Sequence, residues 1–259
     1  MHLLSATLEH DRFPTRERYP FNLRIFQETG RIGFTAPVVC FVGENGSGKS
    51  TLLKAVARRC GIHLWGEIDR ERYEHNPHEN LLQGCLAVEW ADGPVPGSFF
   101  DSQTFRNFTR LVDEWAASDP AMLEYYGGKS LVTQSHGQSL MAYFRNRYTR
   151  RGLYFMDEPE TALSPKTQLE LLELIGEMAA GGHAQFIIAT HSPMLLSIPG
   201  AVIYSFDRGP VKRVEFRETE HFRLYRDFFQ NLLKASRRDA ERKKENHEGA
   251  RRNINQKLS

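Results

Sequence analysis

An eight-residue segment near the start of the chain constrains the fold more than any other feature of the sequence. It fits the pattern G-x-x-x-x-G-K-[ST] of a phosphate loop and reads Gly43-Glu44-Asn45-Gly46-Ser47-Gly48-Lys49-Ser50, with Thr51 following it. An almost wholly apolar run at 37–42 precedes this segment, and a helical pattern at 50–60 follows it. The sequence therefore predicts a glycine-rich turn between a buried strand and a helix.

The residue types in this turn are suited to binding a polyphosphate. Glycines let successive backbone N–H groups point inward, and the positive end of the next helix dipole lies at the same place. We expect Lys49 to contact the β- and γ-phosphates of a nucleotide, and the Ser50 hydroxyl to bind the Mg²⁺ that bridges them. The alternative is a glycine-rich turn without a ligand.

The later part of the chain predicts a mainly parallel α/β sheet. A buried strand at 153–156 precedes a helix that is capped by Ser164, has Pro165 at its first position and ends before Gly181-Gly182. A second strand follows at 185–190. A strand, a helix and a strand with short connections form a right-handed parallel crossover, so the core is expected to be α/β.

Further patterns predict additions to this core. Short apolar runs predict the strands of an N-terminal antiparallel layer, at 3–8, 21–26 and 32–34. Residues 61–97 predict an irregular insertion with one strand near 85–90. Helical patterns near 104–117 and 138–147 predict a helical sub-lobe over about 104–150.

The C-terminal part of the predicted domain contains a hairpin that turns at 207–210 and an amphipathic helix at 219–234. We therefore predict a domain over 1–233. The remaining segment, 234–259, contains nine Lys or Arg and four Asp or Glu and almost no apolar residue, so it is expected to be a disordered basic tail. Such a tail either contacts nucleic acid or is simply solvated.

The apolar strand at 153–156 leads directly into Asp157 and Glu158. We expect Asp157 to lie in the Mg²⁺ shell and Glu158 to polarise the attacking water. Pro159 disfavours helical geometry at the residue before it, so Glu158 is expected to continue the strand in an extended conformation. Ligands of open α/β sheets bind at this carboxyl edge. The alternative is a pair of solvated surface acids.

A histidine, His191, follows the next predicted strand. In a parallel sheet that position is next to the γ-phosphate, so a sensing role is predicted; the alternative is a histidine bonded to a loop carbonyl.

The sequence also bears on the location of the protein. No apolar run reaches the roughly 18 residues of a membrane span, and charged residues appear early in the chain, which leads us to expect a cytoplasmic protein without membrane insertion. The three cysteines form no Cys-x-x-Cys pair, so neither a disulfide framework nor a zinc site is expected.

Together these motifs resemble the ABC ATPases, and more narrowly the small stand-alone bacterial ATPases of that layout. The resemblance covers about 19–229, and its most distinctive segments are Phe41–Thr51, Gln134–Ser139, Asp157–Pro165 and Ala189–Pro193. It implies Mg²⁺-dependent ATP hydrolysis between two copies of the chain.

The resemblance also implies roles for individual residues. Ser135, Gly137 and Gln138 belong to the segment similar to the signature motif, in which His136 replaces a glycine; this motif binds the γ-phosphate held by the opposite subunit. Gln103 resembles the glutamine that contacts Mg²⁺ and the attacking water, and 162–164 resembles the loop that crosses the dimer interface. An aromatic residue is expected to stack on adenine, with three candidates: Tyr19, Phe21 and Phe34.

Three classes of function remain for the process that the ATPase would drive. Asp-Glu-Pro-Glu, Leu-Ser-Pro and Thr-His-Ser-Pro resemble the branch of DNA repair and maintenance, or defence, more than the transport branch. The alternatives are an ATP-binding subunit of a transporter with a separate membrane partner, and a slow nucleotide-switched module that binds an unidentified protein. Only about 30 residues separate Gln103 from Ser135, too few for a long coiled coil.

Overall fold

The computed structural model describes residues 1–64, 76–133 and 136–257. Two compact units are present, Met1–Phe216 and Arg217–Ser259. The first unit contains all the strands of the described chain and the segments that the sequence predicted to bind a ligand.

The centre of the first unit is a six-stranded, mainly parallel sheet with the order β5-β6-β7-β3-β8-β9. In that order the strands are Gly97–Asp101, Gly152–Asp157, Ala184–Ala189, Val38–Val42, Val202–Ser205 and Lys212–Val214. The first five pair in parallel, and β9 pairs antiparallel to β8 through the predicted hairpin. The predicted α/β class is therefore confirmed.

Both faces of this sheet are covered, as its apolar strands predict. Along β3, Val39 and Phe41 point into one apolar core, whereas Val38, Cys40 and Val42 point into the other. The helices of the chain are α1 Arg24–Glu28, α2 Lys49–Arg59, α3 Phe105–Ser118, α4 His136–Arg147, α5 Pro165–Ala180, α6 Pro193–Leu196 and α7 Glu220–Lys257. The first core contains α2; the second contains α3, α4 and α5, so the predicted helical sub-lobe packs there.

A second, three-stranded antiparallel sheet confirms the predicted N-terminal layer. Its order is β2-β1-β4, formed by Arg31–Gly33, Leu3–Leu8 and Leu86–Trp90. The prediction of a strand at 21–26 is wrong, because this stretch enters helix α1. Phe21 and Ile25 are both buried one helical turn apart, and the Gln27 side chain donates to the Phe21 carbonyl at 2.8 Å, which favours helical over extended geometry.

The segment predicted as an irregular insertion contains more order than its composition indicated. The strand near 85–90 is present as β4, but β5 at the end of the segment was missed. Its apolar pair, Phe99-Phe100, is too short to display a period, and β5 is specified by pairing with β6 instead. Residues 65–75 of this prediction lie outside the described residues.

The second unit is built on α7. This helix begins one residue after the predicted start but continues to Lys257, well beyond the predicted end at 234. A basic segment with few apolar residues can still propagate a helix that has already been nucleated. The division into a domain over 1–233 and a tail over 234–259 stays a prediction. None of the described helices combines the length and apolar character needed to cross a bilayer.

One buried glutamine joins the two sheets of the first unit. Gln185 of β7 is fully buried; its Oε1 accepts from the backbone N–H groups of His2 and Leu3 at 2.8 Å, and its Nε2 donates to the Leu3 carbonyl at 2.9 Å. His2 and Leu3, at the start of β1, therefore depend on a single side chain of the central sheet for three hydrogen bonds.

We predict that Gln185→Met, which keeps the size of the side chain but removes these bonds, lowers the free energy of unfolding by about 2 kcal/mol. Urea unfolding followed by circular dichroism measures this. Gln83→Met is the matched control, because the Gln83 side-chain oxygen is buried without a hydrogen-bond partner in the described chain. Equal stabilities for the two variants would contradict the prediction.

Candidate functional site

The loop that matches the phosphate pattern leaves β3 at Val42 and enters α2 at Lys49. Gly46 and Gly48 have φ angles of 79° and 101°, in the left-handed region that favours glycine. At Gly48 a Cβ atom would also lie 2.9 Å from the ring of Phe26. The loop therefore has the strand-to-helix context that the sequence predicted, and its tight curl requires glycine.

Lys49 is the cation of this loop. Its side chain is nearly inaccessible, and its Nζ donates to the carbonyls of Gly43 at 2.6 Å and Glu44 at 3.0 Å. Burial lowers the pKa of Lys49, and the charge of Glu158, followed by that of Asp157, opposes this change. The ammonium group thus lies inside the loop, near the two acids at the end of β6.

Two of the three side chains predicted to contact Mg²⁺ lie in direct contact with each other. The Ser50 hydroxyl donates to Oδ1 of Asp157 at 2.7 Å. Burial raises the pKa of Asp157 to about 6, while the hydrogen bond from Ser50 and the charge of Lys54 oppose the rise. The structure therefore brings together residues that are 107 positions apart in the chain.

Two charged residues beside this pair were missed by the sequence analysis. Nζ of Lys54 lies 3.1 Å from Oδ2 of Asp101 and 3.9 Å from Oδ2 of Asp157. Lys54 is one helical turn after Ser50, a spacing that could have placed it on the same face. Asp101 is in register with Asp157 on the neighbouring strand, which only the sheet pairing reveals.

Glu158 and His191 approach each other at the carboxyl edge of the sheet. Nε2 of His191 lies 3.7 Å from Oε1 of Glu158. The prediction that Glu158 continues the strand is wrong: β6 ends at Asp157, and Glu158 has φ 46° and ψ 54°. It is the one non-glycine residue with positive φ in the described chain. A backbone conformation this unfavourable is retained only where several contacts of the surrounding structure hold it in place.

Hydrogen bonds on both sides of Glu158 account for this geometry. Its N–H donates to the Ala189 carbonyl at 2.9 Å, and its carbonyl accepts from the N–H of Thr161 at 3.2 Å and from the Thr161 hydroxyl at 2.9 Å. The first bond keeps Glu158 at the sheet, and the others close a 3₁₀ turn over Pro159–Ala162. Pro159 disfavours only the right-handed helical region, so the chain turns through the left-handed one.

The remaining predicted residues lie in three other places. Gln103 is exposed in the turn after β5, where its N–H donates to Oδ1 of Asp101 at 2.8 Å. Gly137 and Gln138 are in the first turn of α4, where Gly137 lies beside Thr167 of α5, and Ser135 lies outside the described residues. The segment 162–164 joins the 3₁₀ turn to α5, which Ser164 caps by accepting the N–H of Thr167.

The three aromatic candidates for the base have very different exposure. Phe21 and Phe34 are 0% and 1% exposed, and both belong to the apolar core. Tyr19 is 39% exposed, and its hydroxyl is hydrogen bonded to the side chain of Thr51, directly after the phosphate loop. Tyr19 is therefore the one candidate of the three with a ring that a ligand could reach.

The donor groups at this site suit Mg²⁺, which is bound by hard oxygen ligands and retains several waters. A hydroxyl and a carboxylate, from Ser50 and Asp157, already converge at 2.7 Å. Oγ of Ser47 is buried in the same loop without a hydrogen-bond partner in the described chain, as a polar group facing a ligand would be. The residues present therefore fit both a divalent cation and a phosphate.

A phosphate loop after β3 and an acidic pair at the end of β6, at one edge of a parallel sheet, define a P-loop nucleotide-binding protein. Two family models match the chain: residues 21–80 match an AAA domain, and residues 138–197 match an AAA domain described as a putative AbiEii toxin of a type IV TA system. Both matches include motifs that the structure brings to this edge.

Curated relatives are similar to a longer part of the chain. The thiamine import ATP-binding protein ThiQ of Ruegeria sp. (strain TM1040) is 30% identical over 173 residues, which cover 64% of this chain and 74% of that protein. The putative phosphonates utilization ATP-binding protein PhnK of Escherichia coli (strain K12) is 24% identical, covering 60% and 68%. This chain belongs to the ABC-type P-loop ATPases and is an ATP-binding domain of that family.

Solved structures give matches of lower similarity. An ATP-binding subunit of an ABC transporter is 19% identical, with a TM-score of 0.44 and coverage of 74% of this chain and 85% of that chain. An SMC head domain from Thermotoga maritima is 15% identical, with a TM-score of 0.44 and coverage of 83% and 100%.

Proposed function

We propose that this protein hydrolyses ATP in a Mg²⁺-dependent reaction at the carboxyl edge of the central sheet. The observation that carries the proposal is the convergence of Lys49, the Ser50–Asp157 pair and Glu158 at one edge, from segments more than 100 residues apart. A module that only binds nucleotide has no need of a carboxylate placed next to a histidine beyond the cation ligands.

Each side chain has a distinct part in this proposal. Lys49 offsets the negative charge of the β- and γ-phosphates, and Ser50 and Asp157 hold Mg²⁺, which supplies charge neutralisation of the phosphates. Glu158 accepts the proton of the attacking water. His191, within 3.7 Å of Glu158, contacts the γ-phosphate and orients that carboxylate. Gln103, in the turn after β5, contacts Mg²⁺ and the attacking water.

The adenine base is proposed to stack on Tyr19. This residue is anchored through its hydroxyl beside Thr51, and its ring is accessible, whereas the other two candidates are in the core. Stacking on an aromatic ring is favourable for any purine, so this contact contributes affinity rather than catalytic rate.

The proposed catalytic unit contains two copies of the chain. Gly137 and Gln138 lie at the start of a 12-residue helix, where backbone N–H groups and the helix dipole attract an anion. The proposal is that this segment, with Ser135, completes the γ-phosphate site of a second copy and that 162–164 lies at the interface between copies. A cytoplasmic location, where Mg²⁺-ATP is supplied, is proposed for this dimer.

For the process, DNA repair, maintenance or defence is favoured over transport. The sequence Leu163-Ser164-Pro165 supports this choice, as does the match of 138–197 to a family described as a putative toxin of a type IV TA system. The similarity to ThiQ, a thiamine import ATP-binding protein, and to PhnK supports the alternative, an ATP-binding subunit that serves a separate membrane partner. The basic segment 234–259 is proposed to contact nucleic acid.

Steady-state ATP hydrolysis, measured over a range of protein concentrations with and without DNA or RNA, tests the proposal. We expect a rate per subunit that rises with protein concentration, requires Mg²⁺ and increases with nucleic acid at low salt. Absence of hydrolysis under every condition would contradict it and favour the slow switch module. Hydrolysis at a rate per subunit that does not change with protein concentration would contradict only the proposed dimer, not the proposed hydrolysis.

A further inference from the structure

Glu160 connects the loop after β6 to the loop after β7. It lies in the 3₁₀ turn Pro159–Ala162, and its Oε1 accepts a hydrogen bond from the backbone N–H of His191. Burial raises the pKa of this carboxyl group, and the bond from His191 opposes the rise. A buried carboxylate is costly unless it is hydrogen bonded. The hydrogen bond from His191 offsets part of the cost of burying Glu160, and it holds the backbone of His191 in place.

A second side chain makes the same connection from α5. Oε1 of Gln168 accepts from the hydroxyl of Ser192 at 2.7 Å, and its Nε2 donates to the carbonyl of Leu163 at 3.2 Å. The Ser192 hydroxyl also accepts the N–H groups of Met194 and Leu195 at the start of α6. Gln168 thus joins the end of the 3₁₀ turn to the residue that follows His191.

These two contacts bracket His191. One holds its own N–H, and the other holds the side chain of its neighbour, Ser192, which is buried. The ring of His191 faces Glu158, two residues before Glu160, at 3.7 Å. The distance between Glu158 and His191 is therefore set by the loop 158–164 and its two connections rather than by contacts of the two side chains alone.

We propose that Glu160 and Gln168 are positioning residues that hold His191 against Glu158 and so determine the rate of turnover rather than the affinity for nucleotide. The inference rests on the hydrolysis proposed above. Neither residue touches the phosphate loop in the contacts described, and both act on the backbone or neighbour of His191. A misplacement of about 1 Å at a reacting centre lowers rates by about 100-fold, which sets the scale of the effect.

The test compares Glu160→Ala, Glu160→Gln and Gln168→Ala in the full chain. We expect Glu160→Ala to lower kcat about 10- to 100-fold with KM within about twofold of wild type. Glu160→Gln should recover kcat to within about threefold, because the amide oxygen still accepts the N–H of His191. Gln168→Ala should lower kcat about three- to tenfold, since the bond from Glu160 remains. Glu173→Ala, an exposed position of α5, is the matched control and should behave as wild type.

A second measurement does not depend on turnover. Histidine-selective NMR, with the His191 signal assigned from His191→Gln, should show that signal displaced in Glu160→Ala and restored in Glu160→Gln. If the wild type has no ATPase activity, a His191 signal displaced in Glu160→Ala and restored in Glu160→Gln would support the positioning role while the proposed function fails. An active wild type with neither kcat nor the His191 signal changed by Glu160→Ala would overturn the inference, as would equal losses in Glu160→Ala and Glu160→Gln.

Discussion

Glu158→Gln should abolish ATP turnover while leaving ATP binding intact. The amide cannot accept the proton of the attacking water, so kcat is expected to fall about 100- to 1000-fold. The change is nearly isosteric and keeps an oxygen that can face His191 at the distance of 3.7 Å. The dissociation constant for ATP should therefore stay within about threefold of wild type.

The measurement combines single-turnover hydrolysis with equilibrium binding of a fluorescent ATP analogue. Because ATP is retained, the variant should also accumulate as a dimer in size-exclusion chromatography with Mg²⁺-ATP. Glu173→Gln is the control for a carboxylate lost from an exposed site. Lys49→Ala separates binding from chemistry, since it removes the ammonium group of the loop and should bind ATP too weakly to be assayed. A Glu158→Gln rate equal to that of wild type would contradict the assignment of the base.

Asp157→Asn should stabilise the nucleotide-free protein while removing Mg²⁺-dependent hydrolysis. The pKa of Asp157 is about 6 in the folded protein, against an ordinary value of 3.8. Between about pH 4 and pH 6, the folded chain therefore retains a proton on Asp157 that the unfolded chain has already released. The stability that this group contributes is present below pH 4 and is lost as the pH rises through 6, by about 3 kcal/mol in total.

The difference in the free energy of unfolding between Asp157→Asn and wild type isolates the contribution of Asp157, because all other titrating groups are present in both proteins. The variant should be more stable by about 3 kcal/mol at pH 8, and the gain should shrink towards zero at pH 4. Its amide oxygen can still accept from Ser50, and Lys54 keeps Asp101 at 3.1 Å. Urea unfolding with EDTA at several pH values measures the gain, with Asp92→Asn as the exposed control. A variant less stable than wild type at pH 8 would show that Lys54 compensates the buried charge.

The expected gain in stability of Asp157→Asn would show that a site for a divalent cation lowers the stability of the protein without the cation. A carboxylate among apolar strands is unfavourable until a cation is bound, and residues placed for function often lower stability. The strained backbone of Glu158 is consistent with the same balance, because a left-handed conformation costs about 1 kcal/mol or more at a residue with a side chain.

Local patterns predicted most of the central sheet correctly. Strands β3, β6 and β7 are mostly apolar, and α5 begins after Ser164 and ends before Gly181 as expected. These features depend on a few neighbouring residues, so a linear pattern can reveal them. The stretch 21–26 was misread as a strand and β5 was missed, because their apolar runs are too short for a period and their conformation depends on distant partners.

The sequence by itself located the phosphate-loop pattern and the two acids at the end of β6, because glycine conformation and strand burial are local properties. Only the tertiary structure decided which groups meet. It joined Lys54 to Asp101, turned Glu158 out of the strand, and placed Glu160 on His191. These contacts connect segments up to about 50 residues apart through the register of neighbouring strands, and register is a property of the folded sheet that no single segment specifies.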